Sequence, residues 1–164
     1  MQETSGDRGW CFYFSEVSVP GQYYIYDERN RCSSYPFSVA CDVYSDLLKA
    51  AQKMFYYNRC NFPKQIPWAG SDWIDPASHL GPGQDGESRY VKDKDNPSTT
   101  RDMRGGWFDA GDYNKYVTFA FNPVHLLFTA YEQTPGVFTD DISIPESGNG
   151  IPDLLDELKW EMDW

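Results

Sequence analysis

Hydrophobic positions along the chain change their spacing near residue 40. Before that point, three short stretches rich in aromatic and β-branched residues are separated by turn residues, at residues 10–14, 22–27 and 35–39. This pattern predicts short β-strands. Two or three such strands are not a stable unit alone, so we expect them to be the end of a larger β-sandwich.

Two helices are predicted further along, because apolar residues recur there at three and four positions, the spacing of one helical face. The first runs from about Asp42 to Asn58, and the second follows residues 109–112, with apolar positions between Val117 and Tyr131. Pro123 lies inside the second helix and is expected to kink or divide it.

A third helix is predicted to begin near Ile151, with Pro152 in its first turn, where proline is tolerated. It reaches Trp164 without a capping residue, so we expect the chain to be a fragment cut inside a helix. Residues 59–106 lack periodicity, and irregular segments of that length are usually functional or disordered. The chain is therefore predicted to be mainly α-helical, with a domain boundary near residue 40.

Composition narrows the class of protein. Aromatic residues make up 17% of the 164 residues, and flat aromatic rings are used both in cores and in clefts that bind sugars. The net charge of −11 argues against nucleic acid as a partner. No stretch approaches the roughly 20 apolar residues of a membrane span, so no membrane association is expected. The polar residues 1–8 do not form a signal peptide.

The four cysteines, Cys11, Cys32, Cys41 and Cys60, do not have the spacing of a zinc motif. They allow three disulfide pairings, between which the sequence does not choose. Free buried thiols explain them equally well.

Asp109 and Asp112 form the most informative pair in the chain, because only Ala110 and Gly111 separate them. These small residues allow a tight turn, and Gly111 permits a positive φ, so both carboxylates could point to the same side. Two carboxylates can hold one water molecule while one of them removes its proton. The dipole of the following helix would keep such a base ionised. Helix capping is the competing explanation, and for these residue types alone it is the better one.

The neighbouring residues reverse that preference. Residues 105–113, Gly-Gly-Trp-Phe-Asp-Ala-Gly-Asp-Tyr, closely resemble the aspartate motif of glycoside hydrolase family nine, the cellulases and related β-glucanases. Residues 38–48 and 54–60 resemble the first helix of that family's catalytic domain, and residues 144–157 resemble a later segment. Residues 10–39 resemble the last strands of the immunoglobulin-like domain that precedes the barrel in one branch. The resemblance covers essentially the whole chain.

The resemblance implies a fold and a reaction. Residues 1–39 would be the end of an immunoglobulin-like β domain, and residues 40–164 the first part of an (α/α)6 barrel of 12 helices. The enzyme would be secreted and would cleave β-1,4-glucan with inversion. Asp112 would be the general base, and Asp109 would help to hold the water. The general acid, a Glu, would lie outside this chain, so the 164 residues alone should be inactive.

The resemblance also bears on ligands. Some relatives hold a structural zinc with two Cys and two His, whose positions correspond here to Cys60, Ser78, His79 and Phe108. Two of the four ligands are replaced, so we expect no zinc, and no cofactor is required.

Several other residues are weaker candidates. Glu146, Asn149 and Asp153 offer oxygen ligands for calcium, although a solvated acidic loop explains them better. Trp107 and Tyr113 would contact sugar or pack beneath the turn. His125 is expected to be a core residue of the second helix.

Two alternatives stay open. The chain could belong to a protein that binds β-glucan through a degenerate barrel without cutting it, or to a related glycosidase that acts on another β-glucan. In each case the expected partner is a β-glucan polysaccharide.

Overall fold

The computed structural model describes Gly6 and residues 11–164. The chain divides into two compact units, Met1–Ser45 and Asp46–Trp164. Among the described residues, no helix is both long enough and apolar enough to cross a membrane.

Short strands make up the regular structure of the first unit: β1 (Gly21–Tyr23), β2 (Tyr26–Asp27), β3 (Cys32–Ser33) and β4 (Phe37–Val39). β1 pairs antiparallel with β4, and β2 pairs antiparallel with β3. In chain order, the β2–β3 hairpin therefore lies between the two strands of the other sheet. Its turn is held by Asp27, whose carboxylate accepts hydrogen bonds from the backbone N–H groups of Arg29 and Asn30.

The strands predicted at residues 22–27 and 35–39 are confirmed in part, but the strand predicted at residues 10–14 is wrong. Trp10 lies outside the described residues, and residues 11–14 form no strand. Phe14 begins a turn, since its carbonyl accepts from Val17 N–H at 2.9 Å. Its ring packs on Phe37 with 5.2 Å between centroids. This aromatic run thus contributes to side-chain packing rather than to strand pairing.

Three α-helices form the frame of the second unit: α1 (Ser45–Asn58), α2 (Val117–Gln133) and α3 (Asp153–Met162). Short 3-10 helices lie between them, at Ser71–Trp73, Asp85–Glu87, Pro97–Thr99 and Pro135–Val137. The core around Trp107 contains Leu154 and Leu158 of α3, with Phe55 of α1 and Leu127 of α2 packed against it. All three helices therefore meet at the segment that precedes Asp109.

Periodicity located the helices but not all of their details. α2 is one helix through Pro123, so Pro123 does not divide it, and a kink there stays a prediction. Val117 and Phe121, assigned to its apolar face, are 71% and 68% exposed. His125 is exposed and stacks on Phe121 rather than lying in the core. α3 begins at Asp153, directly after Pro152 and two residues after Ile151, so its predicted start near Ile151 is confirmed.

The inner face of α3 carries a row of buried carboxylates. Asp153, Glu157 and Glu161 are 0%, 0% and 6% exposed and lie one helical turn apart. Each accepts a hydrogen bond from a distant segment: Asp153 from Ile142 N–H at 2.7 Å, Glu157 from Arg59 Nε at 3.2 Å and Glu161 from Trp107 N–H at 2.6 Å. Burial raises the pKa of all three, that of Glu157 to about 7. The carboxylates of α3 therefore hold two irregular segments by their backbone N–H groups, and hold the Arg59 side chain as well.

The segment between α1 and α2 is irregular but ordered by local pairing. Antiparallel bridges join Lys64 to Asp75 and Ser88 to Arg101. In the second bridge, Arg101 N–H donates to the Ser88 carbonyl at 2.8 Å. Residues 89–100 therefore form a loop that this bridge closes.

Gly106 provides a test of this packing. Its φ is +72°, and a Cβ built there would lie 2.8 Å from the Trp164 ring. We expect Gly106→Ala to reduce the free energy of unfolding by more than about 1–2 kcal/mol, since alanine adds backbone strain and a clash. Urea unfolding of the intact protein measures this. Gly111→Ala is the matched control, because nothing lies within 4 Å of its Cβ position. An equal loss of unfolding free energy in both variants would contradict the inference that Gly106 is required by its positive φ and its contact with Trp164.

Candidate active site

The loop that carries Asp109 and Asp112 is fixed at its start by the end of α1. Cys60 N–H donates to the Gly106 carbonyl and Phe108 N–H to the Asn58 carbonyl, both at 2.8 Å. Between them, Trp107 is 7% exposed, and its indole N–H points to Glu157 at 3.4 Å. The chain therefore enters the loop from a buried and rigid position.

Lys115 fixes the other end of the loop. Its ammonium group donates to Asp85 at 2.8 Å, to the Met103 carbonyl at 2.7 Å and to the Gly105 carbonyl at 2.9 Å. It also lies 4.9 Å from the centroid of the Trp164 ring. These three acceptors satisfy all three donors of a side chain that is only 10% exposed. The contact with Gly105 joins the two ends of the loop.

Asp85 is the acceptor that makes this anchor possible. Besides Lys115, it accepts a hydrogen bond from Asn61 Nδ2 at 3.1 Å, and the Cys60 thiol lies 3.5 Å away. Burial alone would raise the pKa of Asp85, but the bonds from Lys115 and Asn61 outweigh it and hold that pKa below its ordinary value. Asp85 is therefore ionised opposite the Lys115 ammonium.

Within the loop, the backbone folds back on itself. Asp109 N–H donates to the Asn114 carbonyl at 2.8 Å, and Tyr113 N–H donates to the Ala110 carbonyl at 3.1 Å. The positive φ of this turn is at Tyr113, at +57°, whereas Gly111, which would permit one, does not adopt it. The turn therefore closes one residue after Asp112.

Asp112 is exposed, and its carboxylate is held by Asn114. It accepts from Asn114 Nδ2 at 2.9 Å and from Asn114 N–H at 3.4 Å. These bonds, with the side-chain bond the largest cause, lower the pKa of Asp112. The prediction that the dipole of the following helix keeps Asp112 ionised is wrong. α2 begins only at Val117, with Tyr116 before it, so neither aspartate caps the helix.

Asp109 lies at the opposite end of the same turn, and its side chain is exposed. It lines a cavity of about 210 Å³ together with Phe55, Trp107, Tyr116 and Phe119, among others. One wall of this cavity is therefore polar and the rest is mainly apolar.

The two aromatic neighbours differ in environment. Trp107 is buried against Phe55, with 4.7 Å between ring centroids, which is the packing alternative considered for it. Tyr113 is 57% exposed and stands perpendicular to Phe108 at 5.1 Å. A contact of either residue with sugar stays a prediction.

The residues at the zinc position do not fit a four-ligand site. Phe108 offers no ligand atom, and its ring packs 5.6 Å from that of His79. The thiol of Cys60 contacts Asp85 at 3.5 Å, and burial raises its pKa to about 11. His79 Nδ1 is buried and has no hydrogen-bond partner in the part of the chain that the structure describes. One open imidazole nitrogen is too little for a structural zinc.

Most of the oxygen atoms considered as calcium ligands accept hydrogen bonds from other residues, but Asp153 Oδ1 is buried and has no hydrogen-bond partner among the described residues. Glu146 binds Arg59 through both oxygens, at 3.0 and 2.9 Å, and Asn149 Oδ1 accepts from Ile151 N–H at 2.7 Å. Asp153 accepts from Ile142 N–H and from the Ser147 hydroxyl. Over Gly6 and residues 11–164, no group of three or more His, Cys, Asp or Glu is arranged to hold a metal ion. The four cysteines are free thiols, three exposed and Cys60 buried.

Sequence reasoning did not identify the residues that support the two aspartates: Asn114, Lys115, Asp85 and Glu161. Only Asn114 could have been identified from its position, because an aspartate side chain often accepts a hydrogen bond from the backbone N–H two residues after it. Lys115 and Glu161 act through partners ten or more residues away, which a sequence pattern does not show.

Comparison with known proteins gives consistent matches. The family model for Glycosyl hydrolase family 9 matches residues 44–164. The chain is 34% identical over 186 residues to a cellulose 1,4-beta-cellobiosidase of Acetivibrio thermocellus, covering 100% of this chain and 21% of the relative. It is 35% identical over 158 residues to a xyloglucan-specific endo-beta-1,4-glucanase of Bacteroides ovatus, covering 92% and 25%.

A solved structure described as Bacteroides ovatus GH9 is similar to this chain with a TM-score of 0.73 at 34% identity. The match covers 92% of this chain and 27% of that one. The chain thus spans about a quarter of the length of the proteins that it resembles.

Proposed function

Because the chain belongs to glycosyl hydrolase family 9, we propose that it forms part of an enzyme that hydrolyses β-1,4-glucosidic bonds in cellulose or a related β-glucan. The observation that carries this proposal is the loop of Asp109 and Asp112. It presents an exposed carboxylate that Asn114 holds in its ionised form. Both ends of the loop are anchored in buried structure.

In the proposed reaction, Asp112 is the general base. Its ionised carboxylate accepts a proton from a water molecule while the water oxygen attacks the anomeric carbon. Asp109 orients the same water through a hydrogen bond. Because Asn114 binds Asp112 from within the loop, the carboxylate has one defined orientation toward that water.

Inversion also requires a general acid on the other side of the bond, roughly 6.5–9.5 Å from the base. It donates a proton to the leaving oxygen as the glycosidic bond breaks. The family resemblance assigns this role to a Glu outside these residues, and no Glu of the chain lies in a matching motif. Of the buried acids, Glu157 and Glu161 bind core residues and serve the fold.

The same membership supports a wider arrangement. In this proposal, residues 40–164 form the first part of an (α/α)6 barrel, and residues 1–39 are the end of an immunoglobulin-like domain. The protein is secreted, its partner is a β-glucan polysaccharide, and neither nucleic acid nor a membrane takes part. The similarity to solved relatives supports this arrangement.

The substrate preference has a second candidate, because one relative is described as specific for xyloglucan. Assaying the intact protein on cellulose, mixed-linkage glucan and xyloglucan separates the candidates. We expect new reducing ends on at least one of these, with the α-anomer formed first. A β-anomer would contradict inversion. Binding to these glucans with no product from any would favour a non-catalytic glucan-binding protein.

Removing the side-chain donor to Asp112 should change the pH dependence of catalysis. Asn114 lowers the pKa of Asp112, and a base works only when ionised, so Asn114→Ala should move the acidic limb of kcat/KM to higher pH. We expect kcat to fall about two- to tenfold, as for the loss of one hydrogen bond. Asn114→Asp should move the limb further, because it adds a like charge. An unchanged limb in both variants would contradict the role of Asn114.

A further inference from the structure

A second depression, of about 390 Å³, lies beside the Asp109–Asp112 loop. Ala110, Gly111 and Tyr113 of the loop line it, together with Trp73 and Ile74 from the irregular segment. Its volume is within the range of about 300–1,000 Å³ that small-ligand sites occupy. It adjoins the cavity that Asp109 lines, since Asn58 and Phe108 line both.

The depression presents large aromatic surfaces. Trp73 is 68% exposed and Tyr113 is 57% exposed. Exposed rings of this size in a concave place mark binding surfaces more often than single exposed aliphatic side chains do. A flat indole suits the apolar C–H face of a pyranose ring.

Both rings are supported from behind. Tyr57 of α1 lies 6.0 Å from the Trp73 ring, and its hydroxyl accepts a hydrogen bond from Gly70 N–H at 3.1 Å. That bond holds the 3-10 helix Ser71–Trp73 against α1. Tyr113 rests edge-on against Phe108. Rings fixed in this way lose little conformational freedom when a ligand stacks on them.

The polar groups of the depression select among ligands. Asn58, Asp72 and Asp75 line it and offer oxygen acceptors. The ammonium of Lys64, the cation that also lines it, already donates to the backbone carbonyls of Arg59 and Phe62. Carboxylates and an amide with no free cation suit a neutral ligand rich in hydroxyl groups, and they disfavour an anion such as a phosphate.

We propose that this depression is a glucosyl subsite, in which the Trp73 indole stacks on a sugar ring beyond the two rings that flank the bond that is cut. The inference rests on the proposed function, because it takes the β-glucan of that function as its ligand. Trp73 is then a binding residue that determines how long a chain the enzyme prefers. It does not take part in bond cleavage.

The test compares Trp73→Ala with the unaltered intact protein on cello-oligosaccharides of increasing length. We expect KM for cellohexaose to rise about three- to tenfold, the range for one lost aromatic stacking contact. The shortest oligosaccharide that is cut should be unaffected, because it does not reach the subsite. Trp73→Phe should retain most of the affinity, and Tyr24→Ala, which removes another exposed ring, should change nothing.

A binding measurement separates this inference from the proposed function. In an Asp112→Asn background, calorimetry should show that Trp73→Ala weakens cellohexaose binding by the same factor. Equal loss on all chain lengths, or unchanged cellohexaose binding, would overturn the subsite. If Asp112→Asn retains activity, the proposed role of Asp112 is wrong. The calorimetric comparison still shows whether Trp73 binds cellohexaose.

Discussion

Replacing Asp112 with asparagine in the intact protein is expected to lower kcat on cellulose by about 10²–10⁴-fold, the usual contribution of general acid–base catalysis. Asparagine keeps the shape of the side chain but cannot take up the proton of the attacking water. Asp112 is exposed and its bonds are made within its own loop, so the melting temperature should not change. Steady-state assays and thermal unfolding of the same preparation measure both quantities.

Two further variants locate the cause of the loss. Asp109→Asn should also lower kcat, but less, because Asp109 orients the water without accepting its proton. Asp95→Asn removes an exposed carboxylate outside this loop and should leave kcat unchanged. Near-normal activity of Asp112→Asn would show that Asp112 is not the base, and an equal loss in Asp95→Asn would show that the effect is not specific to the loop.

Replacing Arg59 with methionine is expected to reduce the free energy of unfolding by about 3–5 kcal/mol, the usual cost of leaving one buried charge without its partner. Arg59 and Glu157 are both fully buried and lie 3.1 Å apart. Methionine fills a similar space but leaves the Glu157 carboxylate without a counter-charge. Urea unfolding followed by tryptophan fluorescence measures the loss. Lys49→Met, at the exposed ion pair with Asp141, should cost less than about 1 kcal/mol.

The loss should depend on pH in a defined direction. Burial raises the pKa of Glu157 from 4.5 to about 7, although Arg59 acts to lower it. Between these values the folded protein binds more protons at this group than the unfolded chain does. The contribution of Glu157 to stability is therefore full below pH 4.5 and is lost as the pH rises through 7.

Without Arg59 the buried charge becomes more costly, so the destabilisation by Arg59→Met should be larger at about pH 8 than at about pH 5.5. The double variant Arg59→Met/Glu157→Gln should remove most of that difference. Equal destabilisation at both pH values would show that Glu157 is not the group left unpaired.

How far the fold could be predicted depends on whether the deciding contacts are local. α1 ends at Asn58 as predicted, because the apolar spacing that marks a helix is local. Its buried face was predicted wrongly: Gln52 and Tyr56 are buried, whereas Leu47, on the predicted apolar face, is 66% exposed. Residues 11–14 have the composition of a strand but lack a pairing partner, because Phe14 packs its ring on Phe37 instead. Strand pairing depends on a second segment, which the composition of the first does not reveal.

The candidate site shows the same limit. The motif resemblance singled out Asp112, but the reason given for its ionisation was wrong, because Tyr113 to Tyr116 intervene before α2 begins. The side chain that stabilises its charge is Asn114, two residues on.

The carboxylates of α3 could not be predicted as buried. Asp153, Glu157 and Glu161 look like the solvated face of a helix in the sequence. Their partners lie 11 to 98 residues away, at Ile142, Trp107 and Arg59. Only the assembled fold brings those hydrogen-bond donors to α3.

The closed loop of residues 89–100 has an evolutionary consequence. The bridge between Ser88 and Arg101 closes this loop. Insertions or deletions within residues 89–100 therefore need not move Asp85 or Met103, which bind Lys115. Descendants can therefore exchange this piece of surface without disturbing the loop of Asp112. A change in the length of residues 89–100 would therefore alter the surface there while the loop that carries Asp112 keeps its support.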